Sequence, residues 1–109
     1  MPNWDVGSVS NMRGMFMYTP VFNADISKWN VESVKDMNMM FAEATSFNGD
    51  ISEWNVASVT NMSFMFHQAK DFSADISKWN VATVTDMKMM FGGATSFAVS
   101  YTHLRAPRD

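Results

Sequence analysis

The sequence predicts an α/β solenoid of four 25-residue coils, each supplying one short strand and one helix, with the strands paired in parallel on one face. Three observations lead there. The hexapeptides ISKWNV (26–31), ISEWNV (51–56) and ISKWNV (76–81) recur at a spacing of 25 residues, and self-similarity at a fixed period marks a repeat architecture. Aligned on tryptophan, the units 4–28, 29–53, 54–78 and 79–97 need no gaps. Seven positions are identical in all four, in the second unit Trp29, Val31, Val34, Met37, Met40, Phe41 and Phe47. All seven are apolar, so the constraint shared by the copies is packing against a neighbour.

The helix is predicted from the middle of each unit. Val34, Met37, Phe41 and Ala44 follow the i, i+3, i+7, i+10 spacing of one helical face, and Val59, Met62, Phe66, Ala69 and then Val84, Met87, Phe91, Ala94 repeat the stripe. Ser33, Ser58 and Thr83 stand just ahead of it, with Asp36, Asn61 and Asp86 three residues later, the arrangement of a capping box with a shortened partner. GGA at 92–94 and YTP at 18–20 would stop the helix, whereas AEA at 42–44 would let it run on.

The strand is predicted between helices. In FNGDISEW (47–54), Phe47, Ile51 and Trp54 point inward, and Asp50 and Ser52 point the other way, which allows three or four extended residues. The equivalent inward residues of the next unit are Phe72, Ile76 and Trp79. One strand and one helix cannot enclose a core, but stacked copies can. The repeat domain therefore spans 1–97. The remaining AVSYTHLRAPRD (98–109) abandons the pattern, and reads either as a cap or as a translated adapter sequence.

Composition narrows the function classes. Eleven acidic against eight basic residues give neither the basic footprint of a nucleic-acid binder nor a polybasic patch for a membrane surface. The absence of cysteine excludes a disulfide framework and thiolate metal sites. No apolar run approaches the roughly 20 residues of a spanning helix, so membrane insertion is not expected, and MPNWDVGSVS lacks the make-up of a signal peptide. Twelve methionines, nine phenylalanines and four tryptophans, with a single leucine at 104, must build the core together with valine and isoleucine.

The pattern D-I-S-x-W-N-V-x-S-V-x-x-M-x-x-M-F-x-x-A-x-x-F-N, carried from Met1 to about Phe97, resembles the bacterial surface protein repeat of about 25 residues, a BspA-like relative of the leucine-rich repeats. The resemblance implies a right-handed, leucine-rich-repeat-like curved solenoid, an extracellular or cell-surface location and a role in adhesion and protein contacts. It attaches no enzymatic activity and no cofactor. Unit one starts with MPN where ISK or ISE stands elsewhere, so the chain opens inside a coil, as a piece of a longer surface protein would.

Candidate chemistry is sparse. Asp25, Asp50 and Asp75 occupy one position of successive units; in a parallel stack their carboxylates lie about 5 Å apart, which suits either a hard cation such as calcium or caps on backbone amides. With Ser27, Ser52 and Ser77 they form the polar row expected on the sheet face, and are candidates for contact with a partner. Met37, Met39 and Met40, repeated as Met87, Met89 and Met90, suggest either a soft Cu(I) site or adaptable core filler, with Met39 and Met89 off the main stripe. His67 and His103 have no matching partner. Trp29, Trp54 and Trp79 form either a ligand platform or a buried stack with each indole N–H bonded in the turn. Variable polar positions such as Glu32, Lys35, Lys70 and Asp71 read as solvated surface.

The expected function is a non-enzymatic structural or interaction module of a surface adhesion-type protein, binding a protein or glycan. The alternative is a unit that stacks end to end with copies of itself, because terminal coils leave frame residues and backbone edges uncovered.

Overall fold

The computed structural model describes residues 4–97. The tail at 98–109, with its two alternative readings and His103, lies outside the described residues, as does the MPN start. Successive 25-residue units lie on one another as layers, and the bonds between layers are made by alternate residues of one segment. The amides of Met12, Gly14, Phe16 and Tyr18 donate to the carbonyls of Asp36, Asn38, Met40 and Ala42. Met37, Met39, Phe41 and Glu43 donate in turn to Asn61, Ser63, Met65 and His67, and Met62, Phe64, Phe66 and Gln68 donate to Asp86, Lys88, Met90 and Gly92. All of these bonds measure 2.7–3.0 Å. A second row runs the other way, from Lys35 to Ser10, Thr60 to Lys35 and Thr85 to Thr60, at 2.8–2.9 Å.

The amides between those donors close tight turns within their own layer. Met40 donates to Met37, Ala42 to Met39 and Ala44 to Phe41, at 3.0–3.1 Å. Further turns close at Val31–Val34, Ala44–Phe47 and Ile51–Trp54. Each layer is thus a run of turns, and two residues in each take a left-handed backbone. Gly14, Met39, Phe64 and Met89 form one such row, and Tyr18, Glu43, Gln68 and Gly93 the other, with φ between 54° and 77°. Met39 and Glu43 stand third in their turns, the place where a type II turn needs positive φ.

This corrects the α/β solenoid expected from the sequence. None of the predicted helices forms, and the regular element among the described residues is one 3₁₀ turn, Thr95–Phe97. No sheet forms there either. The pairing is reduced to isolated parallel bridges, Asn11 with Asp36, Asp36 with Asn61 and Asn61 with Asp86. These bridges lie in the predicted helix, whereas the predicted strand around Ile51 is a turn closed by the Trp54 amide at 3.2 Å. The physical reason is that an apolar spacing of three to four does not separate a helix from consecutive turns, since both bring every third residue to one side. What separates them is the amide's acceptor, and here alternate amides leave the layer. The capping box dissolves for the same reason: the Ser33 hydroxyl donates to the Gly7 carbonyl of the preceding layer at 2.9 Å, and the Asp36 carboxylate takes the Asn38 amide at 2.9 Å.

The interior is built from columns of like side chains. Phe16, Phe41, Phe66 and Phe91 stack at ring separations of 5.5–5.7 Å. Phe22, Phe47, Phe72 and Phe97 form a second column at 5.3–6.2 Å. Within each layer the two columns touch, as in Phe41 on Phe47 at 4.3 Å. Val34, Met37, Met40, Ile51, Val59, Met62 and Met65 are buried around them, and flexible thioethers suit the gaps that flat rings leave. Trp29, Trp54 and Trp79 are buried at the margin, and the indoles of Trp54 and Trp79 donate to the carbonyls of Ile26 and Ile51 at 3.1 and 3.0 Å. The radius of gyration of 12.5 Å is that of a compact chain of this length.

Two outcomes follow for stability. Phe41→Ala opens a hole at the crossing of both columns and should cost about 3–5 kcal/mol in urea unfolding. Glu43 is exposed at φ 58°, so Glu43→Gly should raise stability by about 0.5–1 kcal/mol and Glu43→Val should lower it; a loss on Glu43→Gly would mean that the left-handed turn carries no strain.

Candidate contact surface

The lateral surface is lined by short polar side chains that cap the turns they belong to. The Asp25, Asp50 and Asp75 carboxylates accept the amides of Ser27, Ser52 and Ser77 at 2.9–3.0 Å. Asn30, Asn55 and Asn80 cap the amides of Glu32, Ala57 and Ala82 at 3.0–3.1 Å. Asn11, Asp36, Asn61 and Asp86 cap the third position at 2.9–3.0 Å. Such bonds are the local alternative that Asx side chains offer to a helical or sheet partner, and a chain made of turns uses them throughout. The polar row foreseen for a sheet face therefore sits on the ridge of a turn.

Charge along this ridge is organised by the caps. The Ser52 hydroxyl adds a second bond to Asp50 at 2.7 Å. The Ser27 and Ser52 hydroxyls, followed by their amides, hold the Asp25 and Asp50 carboxyls below the usual carboxylate range, and Asp25 pushes partly back on Asp50. The carboxylates thus sense each other down the column, and their bonded oxygens already serve the backbone. Among the described residues no group of three or more His, Cys, Asp or Glu side chains is gathered as a metal site would need. Lys78 reaches back to Glu53 at 3.3 Å, both largely in solvent, where such a pair contributes little.

The remaining candidates separate by position. Met37 and Met40 are fully buried, Met90 nearly so, and Met87 is partly buried. Met39 is half-buried, whereas Met89 is 51% exposed. His67 stands half-buried with Phe64 edge-on at 5.3 Å, and its Nδ1 lies buried without a hydrogen-bond partner among the described residues. Trp29, Trp54 and Trp79 lie inside and offer no ligand platform. A group of exposed side chains not foreseen from the sequence is Tyr18 and Val21 on the first layer, 62% and 89% exposed. Their signal was a break in the repeat, since the equivalent places hold Glu43, Gln68 and Gly93, and Ser46, Asp71 and Ser96.

The lowered Asp25 and Asp50 values carry a sign for acid stability. A carboxyl whose folded value is depressed adds stability that is complete above its unfolded value of about 4 and is lost as pH falls through the folded value. The melting temperature should therefore decline below about pH 4, and less steeply in the Asp25→Asn, Asp50→Asn double variant. Equal acid slopes in thermal melts of the two proteins would show that these caps do not contribute.

No curated protein matches the chain, and no solved structure does. The family model described as "Mycoplasma protein of unknown function, DUF285" matches residues 1–104, the whole repeat-bearing length and the start of the tail. The turn-built 25-residue layers, their capped ridges and their phenylalanine columns are thus those of a member of the DUF285 family, to which this chain belongs.

Proposed function

We propose that this protein is a non-enzymatic contact module that holds variable side chains on an invariant frame, and that it serves adhesion at a cell surface. The observation that carries the reading is the division of labour within each layer: identical residues fill the interior, and substitutions between copies concentrate on the exposed positions. Lys35, Thr60 and Thr85 share one such place, Glu43, Gln68 and Gly93 another, and Ser46, Asp71 and Ser96 a third, all exposed except the half-buried Ser46 and Gln68. The likeness of the WNV and M-x-x-M-F motifs to the BspA-like surface repeat supports an extracellular setting and a protein or glycan as partner. Tyr18 and Val21 supply the apolar anchor that a polar rim needs, since aromatic side chains dominate interface energetics.

The test is retention of the tagged chain on immobilised glycans and on purified extracellular-matrix proteins. Saturable binding is expected on at least one surface, and the Tyr18→Ser, Val21→Ser double variant should bind at least about tenfold less with an unchanged melting temperature. A complete lack of retention by the folded protein, or binding indifferent to both substitutions, would count against the reading.

A further inference from the structure

We propose that the gap over Gly92, between the third and fourth layers, is a site for one soft metal ion, Cu(I), bound by the Nδ1 of His67 and the thioether sulfur of Met89. The inference is independent of the contact reading and starts from a glycine whose backbone does not call for one. Gly14 and Gly93 stand at φ 62° and 77°, where a side chain strains the chain. Gly92 lies outside that region, and its equivalents are Met17, Ala42 and His67. What keeps a side chain from this place is space: a Cβ on Gly92 would stand 2.9 Å from the Met89 Cε and 3.0 Å from the His67 Nδ1. A side chain of the third layer and one of the fourth thus close on a single small volume, and the Met89 sulfur is one bond from the methyl that reaches it.

The second observation is the state of His67. Its Nδ1 is buried and meets no hydrogen-bond partner among the described residues, a condition that costs stability when nothing answers it. Buried polar atoms of this kind are accounted for by a water, an ion or a chemical role. The third group near the same point is the Met89 carbonyl, at 3.5 Å, which already accepts the Gly92 amide. A thioether is a weak hydrogen-bond acceptor and a good ligand for a soft metal, so the pairing of Nδ1 with Met89 favours an ion over a water.

The donor set selects the ion. Thioether sulfur favours Cu(I) and imidazole nitrogen binds copper readily, and a filled d shell lets Cu(I) accept as few as two donors. A hard cation needs several oxygens, and among the described residues no three His, Cys, Asp or Glu side chains gather. Met37 and Met40 are sealed in the core, whereas Met89 lies off the apolar stripe and meets a nitrogen donor. The combination is not repeated down the stack, since the equivalent pairs are Ala42 with Phe64 and Met17 with Met39. One ion per chain is therefore expected, and half-buried His67 leaves it a way in.

The experiment titrates the full, metal-free chain with Cu(I), kept reduced under argon, against a chromophoric Cu(I) chelator. One equivalent should leave the chelator, the melting temperature should rise as the ion binds the folded state, and X-ray absorption should show nitrogen and sulfur neighbours. His67→Phe and Met89→Leu should each lose the competition. Gly92→Ala keeps both ligands but sets a methyl between them, and should weaken binding about 10–100-fold. Met15→Leu, at an exposed methionine of the first layer, should change nothing. Should His67→Phe fail to fold, Met89→Leu and Gly92→Ala decide alone. A parent chain that takes no ion from the chelator, uptake that the site variants leave intact, uptake lost in Met15→Leu, or an ion with sulfur neighbours only would each overturn the proposal.

Discussion

The rest of the structure depends on the direction in which alternate amides point. In the segment from Met37 to Glu43, every second N–H leaves its own layer for the carbonyls of the next, while the intervening amides close turns at home. A helix satisfies its backbone internally and can be judged as one element, but a layer of this kind leaves half of a segment's donors unmet until a neighbour arrives. Burying such groups unpaired costs more than an average hydrogen bond contributes, so the single layer is not a stable object. The length of the interlayer bonds then sets the spacing to which every side chain must conform, and flat phenylalanine rings in columns with pliant methionines beside them fill that spacing.

The sequence made some of this legible and concealed the rest for a definite reason. The period of 25 is plain in the ISKWNV and ISEWNV copies, and the interlayer bonds span 24 residues in the alternate-amide row and 25 in the row through Ser10, Lys35 and Thr60. The apolar identity of the frame residues Trp29, Val34, Met37, Phe41 and Phe47 is equally plain. Their secondary structure was not, because a three-to-four spacing is common to helices and to successive turns, and because methionine and glutamate at 39 and 43 carry no mark of a left-handed backbone. Only Gly14 and Gly93, standing in those same two rows, hinted at it. The short segment around Ile51 was equally ambiguous, since a turn between Ile51 and Trp54 places Ile51 and Trp54 inside as readily as a strand does.

The candidate surface was legible only in part. The column of Asp25, Asp50 and Asp75 is visible as a repeated letter, but its duty toward the Ser27, Ser52 and Ser77 amides depends on a turn geometry that periodicity does not specify. Tyr18 and Val21 stand out through asymmetry instead, as apolar residues in places where other copies are polar. Capping side chains also explain how a chain with so little regular structure keeps its backbone satisfied: aspartate, asparagine, serine and threonine take over positions that ladders or helical bonds occupy elsewhere.

The alternation of inward and outward amides has a consequence for how such a gene can change length. Deleting one codon between Met37 and Glu43 would exchange every donor for a turn-closing amide downstream of the cut, and would misalign that layer with both neighbours at once. Gaining or losing 25 codons leaves every partner in place. Slippage and unequal recombination between near-identical repeats produce such steps, so the architecture filters frame-preserving indels by a second and stricter frame, and copy number becomes the dimension along which relatives can diverge without repacking.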